Sequence, residues 1–323
     1  MMLPGENMKK IFVVDIGGTN SRFALFEVHS QNSMSFINSI WLKTGDAHSF
    51  EELIKQQEMN CPELIISDCD TLVVAVPGPV LDEKRVEMVN VSWAIDIGQL
   101  KKHFHLPIYF INDFMAQGYG CLSRETSDQI KIKDGKFCTP CDIAVVGAGT
   151  GLGHCYLKYD GSGGYIPIPA EAGQIPYPFI NQEELDFRAF ILEKMNIPYP
   201  TGDTVVSGPG LALLHNFLTG EDLAPDQVAR KITPENDTTK WFAKFYARSC
   251  RNYCLTKLSS AGMLFIAGGL AGNYPFLVNN DTFRNEFVTS TLKSPFLDQL
   301  PIYLNTNENN GLWGAALYGF LHL

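Results

Sequence analysis

The chain is short of positive charge. Its 25 Lys and Arg face 35 Asp and Glu over 323 residues, a net charge of −10. An acidic surface repels phosphate backbones and anionic lipid, so nucleic acid and membrane surfaces are poor partners. No apolar run approaches the roughly 20 residues that span a bilayer. Between Met1 and Lys10 there is no signal-peptide core, and the first strand reaches Asp15 after only four apolar residues. A cytoplasmic protein is expected. The seven histidines show neither H-E-x-x-H nor H-x-E…C-x-x-C spacing, which argues against a catalytic metal held by protein ligands. Ser207-Gly-Pro-Gly210 lacks G-x-S-x-G, and Pro209 has no N–H for an oxyanion, so hydrolysis is disfavoured. No disulfide framework is legible among the eight cysteines. Cys138-Thr-Pro-Cys141 is a lone C-x-x-C that precedes a strand, whereas a redox motif follows one; reduced thiols are expected. A Walker GxxxxGK[ST] is missing as well.

What is present is ample core material, 45% hydrophobic against 19% charged residues, enough for about two domains at this length. The chain is organised around Ile11-Phe-Val-Val-Asp-Ile-Gly-Gly-Thr-Asn20. Four apolar residues run into an acid, two glycines, a hydroxyl and an amide, and the apolar run resumes at Phe23-Ala-Leu-Phe26. This reads as strand, tight turn, strand. Glycine lets backbone N–H groups approach an anion that a Cβ would hold off. Thr19 and Asn20 add side-chain donors, and Asp15 is placed to hold a metal-bound water. The alternative is a glycine hairpin that merely turns.

A second copy of the theme begins at Ile143, where Ile143-Ala-Val-Val146 enters Gly147-Ala-Gly-Thr-Gly-Leu-Gly153 and Cys155-Tyr-Leu157 resumes the strand. Aligning Asp15 with Gly147 matches strand to strand and turn to turn. The continuing strand argues against a dinucleotide fingerprint, which needs a helix there. Between these copies, Ser49-Phe-Glu-Glu52 is a capping box for a helix to about Met59. Thr71–Val76 is a buried strand, Asp96 caps a helix to about Phe104, and the strand Ile108–Ile111 ends in Asn112-Asp113. Later helices are expected over Gln182–Met195, Leu211–Leu218 and Asp237–Ser260. Met263–Ile266 is a strand ending in Ala267-Gly268-Gly269, and a last helix starts near Asn310. Strands alternating with helices predict an α/β fold with mixed sheets.

Three glycine stretches, in this order, resemble the actin and sugar-kinase superfamily. Asp15–Asn20 is similar to its first phosphate motif, Gly147–Gly153 to its second, and Ile266-Ala-Gly-Gly269 to its adenosine motif. Within it the chain resembles the bacterial glucokinase family, with further agreement at Pro77-Gly-Pro79, Asn90-Val-Ser-Trp93, Ile111-Asn-Asp-Phe114, Glu171-Ala-Gly173, Ser207–Gly210 and Asn309-Asn-Gly-Leu312. The resemblance runs from about Lys10 to Tyr318. The cysteine-rich ligand cluster of the related zinc-containing group does not follow Glu171. The resemblance implies a two-lobed, ribonuclease H-like fold with duplicated mixed sheets. Residues 1–122 and 304–323 would form a small lobe and 123–303 a large one, with the lobes closing on the sugar.

It also implies ATP-dependent phosphorylation of glucose at the 6-hydroxyl. The phosphates would be held by Gly17, Gly18, Thr19 and Asn20 and by Gly149, Thr150 and Gly151, with Gly268 and Gly269 at the adenosine and Asp15 at Mg²⁺ through water. Asp113, at a strand end, is the candidate general base; from spacing alone, Asn112-Asp113 equally caps the next helix. Glu171 is the candidate hydroxyl-binding carboxylate, with Asn90 and Asn112 as further sugar contacts. The family has a histidine where this chain has Gln174, and a glutamate where it has Asp203. Both departures bear on hexose choice, leaving mannose, fructose or an N-acetylhexosamine as alternative acceptors. A non-catalytic sugar or nucleotide sensor is the other alternative, disfavoured by the acidic charge and by a start within ten residues of the first strand, which leaves no room for a helix-turn-helix. A homodimer is expected.

Overall fold

A computed structural model describes residues 8–30, 32–78, 80, 85–86, 88, 91–123, 129–136 and 140–323. The chain divides into two compact units, Met1–Ser127 with Asn309–Leu323, and Asp128–Glu308.

The first unit begins with β1 (Lys9–Ile16), β2 (Asn20–Ser30) and β3 (Ser33–Lys43), then α1 (Phe50–Asn60) and β4 (Thr71–Val76). A short ribbon, β5 (Arg85–Val86) and β6 (Ile95–Asp96), leads into α2 (Ile97–His103), β7 (Ile108–Asn112) and α3 (Asp113–Leu122). The C-terminal helix, Asn310–Leu321, completes the unit. The sheet order is β3-β2-β1-β4-β7, antiparallel in its hairpins and parallel from β1 to β7. β1 and β4 are apolar on both faces because both are covered. Phe12, Val14 and Ile16 join one core with α1 and α2, while Ile11 and Val13 join another with α3 and the C-terminal helix. By the two-residue period, Asp15 falls on the second face.

The second unit contains β8 (Gln129–Lys133), β9 (Ile143–Ala148), β10 (Leu152–Tyr159) and β11 (Tyr165–Ala170). Helices α4 (Gln182–Met195), α5 (Gly202–Val205), α6 (Gly208–Thr219), α7 (Pro225–Lys231) and α8 (Asp237–Lys257) follow. The unit closes with β12 (Met263–Ala267), α9 (Gly269–Asn273), α10 (Asp281–Val288), α11 (Ser294–Gln299) and β13 (Ile302–Asn305). In the order β11-β10-β9-β12-β13-β8, the first five strands repeat the first sheet in order and direction, with β8 added antiparallel at the edge. Asp15 and Gly147 are each the penultimate residue of the middle strand, which makes the two sheets copies of one plan.

Three boundaries differ from expectation. Ser207-Gly-Pro-Gly210 opens α6 instead of preceding it: Ser207 is the N-cap, its Oγ accepts from Gly210 N at 3.1 Å, and proline is tolerated in a first turn. α8 stops at Lys257, because Leu258 turns to extended backbone and buries its side chain. β13 keeps residues 302–305 in the second sheet, so the chain returns to the first unit after Glu308 and not at 304. At α1, Ser49 caps Glu52 N as expected, while the Glu52 carboxylate accepts from His48 N, one residue before the cap. Among the described residues no helix is long and apolar enough to cross a membrane.

Candidate active site

In the first unit the turn between β1 and β2 is held from outside. Gly17 N donates to Asn20 O at 2.9 Å, and a Cβ on Gly17 would stand 2.9 Å from that same oxygen. Thr44, just after β3, is buried; its hydroxyl donates to Gly17 O at 2.7 Å and lies 2.9 Å from Ser21 Oγ. Thr44 N donates to Thr19 O at 3.0 Å. These bonds leave Gly18, Thr19 and Asn20 exposed on a turn with both ends pinned. The sequence reading missed Thr44, whose only signal is position at the end of a neighbouring strand.

Asp15 stands opposite Arg22, and Arg22 opposite Trp41, so the three form a row across β1, β2 and β3. The Arg22 guanidinium lies 4.0 Å over the Trp41 ring. Burial pushes the Asp15 carboxyl above the usual range, and the Arg22 charge offsets this only in part. Asp15 Oδ2 would be 3.8 Å from a Cβ on Gly311, so the carboxylate sits by the start of the C-terminal helix. That helix lies tightly on α3: Asn310 Nδ2 donates to Gln117 Oε1 at 2.7 Å, and a Cβ on Gly314 would meet Ala116 O.

Asn112 and Asp113 join β7 to α3. The Asn112 Oδ1 accepts from Phe114 N at 2.9 Å and Met115 N at 3.2 Å, and its Nδ2 donates to Gly78 O at 3.0 Å. Asn112 therefore caps the helix, with one amide hydrogen left for a ligand. Asp113 is the first helical residue, half-buried, with Oδ1 accepting from Phe114 N at 2.9 Å. Asn90 lies outside the described residues, as do Pro79 and Cys138.

In the second unit the Gly147–Gly153 turn meets Gly208 at the start of α6 and Gly268 just after β12. Gly149 N donates to Gly151 O at 2.8 Å across the β9–β10 turn, and Gly208 N donates to Gly149 O at 2.8 Å from the start of α6. Gly268, at φ +89°, presses on β9: a Cβ there would lie 2.9 Å from Ala148 O. Ala148 N donates to Tyr246 Oη of α8 at 2.9 Å, a second anchor for the turn. A Cβ on Gly149 would meet nothing within 4 Å, and Thr150 is exposed. Gly269 is exposed beside Gly268.

Asp203 ties this turn to the Glu171 loop. Its Oδ1 accepts from Leu152 N at 2.7 Å and its Oδ2 from Gln174 Nε2 at 2.9 Å. Gly151 and Gly173 crowd the same carboxylate, at 3.0 and 2.4 Å from their would-be Cβ atoms. Glu171 is exposed and opens the single turn Ala172–Gln174. The second unit thus places Glu171, Gln174 and Asp203 on one linked loop system beside the Gly149–Gly151 turn.

A glucokinase family profile matches residues 12–321. The glucokinase of Trichormus variabilis is 28% identical over 344 residues, covering 96% of this chain and 98% of the relative. Among solved structures, the glucokinase of Balamuthia mandrillaris in complex with glucose superposes with a TM-score of 0.79 at 20% identity, covering 98% of this chain and 94% of that one. A ROK family glucokinase from Streptomyces griseus, in complex with glucose and AMPPNP, gives 0.61 at 16% identity, covering 95% and 98%. Both structural neighbours share the actin-like sugar-kinase fold.

Proposed function

The chain belongs to the glucokinase family, and from that premise we propose that it transfers the γ-phosphoryl group of Mg-ATP to the 6-hydroxyl of D-glucose. The observation that carries this reading is the repeated turn. Each sheet ends its middle hairpin in an exposed glycine turn braced by a neighbouring element. Backbone N–H groups of Gly18, Thr19 and Asn20, and of Thr150 and Gly151, are the phosphate donors, Gly17 and Gly149 close the two turns with their own N–H groups, and Gly268 and Gly269 flank the adenosine. The Streptomyces griseus neighbour solved with AMPPNP supports an adenine nucleotide as donor.

The residues fit a cation. A carboxyl whose burial raises its proton affinity, as at Asp15, gains from a positive charge nearby. Asp15 would hold Mg²⁺ through water, and the ion would supply charge neutralisation at the phosphates. Asp113 accepts the proton of the 6-hydroxyl, while Glu171, Gln174 and Asp203, with Asn112 and Asn90, bind the remaining hydroxyls.

The Gln174–Asp203 bond favours a second reading, a kinase for another hexose or an N-acetylhexosamine, because both side chains spend a hydrogen bond on each other. ADP release with Mg-ATP over glucose, mannose, fructose, N-acetylglucosamine and N-acetylmannosamine separates them. A large kcat/KM advantage for glucose is expected. Preference for another sugar selects the second reading, and no stimulation by any sugar overturns both.

A further inference from the structure

In the second unit, behind the loop that carries Gln174, lies a cavity of about 200 Å³. Its walls are mainly apolar, with Leu152, Ile175 and Tyr177 among them. His154 on β10 and Tyr253 on α8 also line it, each about 3% exposed, with ring centroids 4.6 Å apart. His154 Nδ1 and Tyr253 Oη are both buried and meet no partner at hydrogen-bond geometry, with the Leu152 backbone near the imidazole. Leaving such groups unpaired costs free energy, so two neighbours in one cavity point to an occupant.

We propose that this cavity is an effector site for a small neutral organic molecule, a benzene-sized apolar body carrying one hydroxyl or amide, whose occupancy sets the hold of Gln174 and Asp203 on the sugar. The size matches: a cavity of roughly 150 Å³ already holds benzene. Beside the apolar walls, Ser249, Asn252 and Thr256 add polar side chains to the lining, so a ligand larger than one water finds both apolar surface and polar partners. One hydroxyl satisfies both orphans, because it can donate to an imidazole nitrogen and accept from a phenol. No Asp, Glu, Lys or Arg is among the lining residues. Burial holds the imidazole down to about 4 and the phenol well up, so both are neutral near pH 7 and the ligand is neutral too.

The coupling follows from the backbone. Ala172 and Gly202 line the cavity, and each lies within two residues of Gln174 or Asp203. Gly202 N donates to Ile175 O at 3.0 Å, and a Cβ on Gly173 would lie 2.3 Å from Leu152 O. With so little slack, filling the cavity moves the loop and α5 together. This regulatory half rests on the sugar-kinase reading; the binding half does not.

The test is fluorine NMR of the full chain titrated with para-fluorophenol, with unlabelled phenol and benzamide as competitors. Saturable binding that the competitors displace is expected. Tyr253→Phe should weaken it about tenfold, by loss of one hydrogen bond. Ser249→Leu, which fills the lining from α8, should abolish it while the circular dichroism stays unchanged. In the wild type, para-fluorophenol should change glucose affinity at least about fivefold, and not in Ser249→Leu. Absence of saturable binding, or binding that neither variant alters, overturns the site, as does a crystal structure grown with phenol showing water alone between His154 and Tyr253. Binding without any sugar-stimulated ADP release upholds the site and removes the kinase reading instead.

Discussion

Gln174 Nε2 donates to Asp203 Oδ2 at 2.9 Å, and the other oxygen of that carboxylate takes Leu152 N at 2.7 Å. The two positions at which this chain departs from the family pattern it resembles are therefore one hydrogen-bonded unit, seated on the second glycine turn. A glutamine that donates here suits the shorter aspartate.

Changing either residue should disturb the other. Gln174→Ala and Asp203→Asn should each raise the sugar KM about tenfold, and the double variant should cost clearly less than the sum. Contacting pairs couple by roughly 0.5–3 kcal/mol. A double-mutant cycle on kcat/KM measures this, and strict additivity would show that the pair does not act as a unit.

Asp113 can be tested without disturbing its helix, since Asn112 supplies the cap. Asp113→Asn should lower kcat by about 10²–10⁴ and leave sugar affinity, read by calorimetry, nearly unchanged. Turnover within a few-fold of wild type would remove Asp113 from the role of base.

Thr44 braces the first turn with a buried hydroxyl. Thr44→Val keeps the shape but leaves Gly17 O and Ser21 Oγ without that partner, at about 1–3 kcal/mol of stability. The KM for Mg-ATP should rise while the KM for sugar holds. Equal changes in both would assign Thr44 to general stability.

His154 gives a pH signature. Burial, only partly offset by the Leu152 backbone, brings its value from 6.5 to about 4 in the folded chain. Between those values the unfolded chain takes up a proton that the folded one refuses, so stability falls as pH falls through this window and levels off below it. The loss is up to roughly 3 kcal/mol. Tyr253, opposite, stays neutral throughout. Urea midpoints at pH 7 and 4.5 should diverge less in His154→Leu than in the wild type, and equal divergence would exclude His154 as the cause.

Much of the frame was legible in the residues. β4 spans Thr71–Val76 and α4 spans Gln182–Met195 as expected, because a strand apolar on both faces and a helix between clear caps need no tertiary information. The repeat of Asp15 at Gly147 was visible for the same reason: strand, glycine turn and strand recur in both sheets. β3 escaped notice, since its Ser-Met-Ser-Phe-Ile-Asn-Ser run is largely polar and lies at a sheet edge, half-exposed, paired with β2.

Local pattern therefore settled the elements, the glycine turns and the family, each of which depends on residues close in sequence. Contacts between distant residues had to be folded to be seen. Thr44 meets Gly17 across 27 positions, Gln174 meets Asp203 across 29, and Ala148 meets Tyr246 across 98. No periodicity encodes such pairs. They form because the sheets bring strand ends to one edge, where buried polar atoms take the partners within reach.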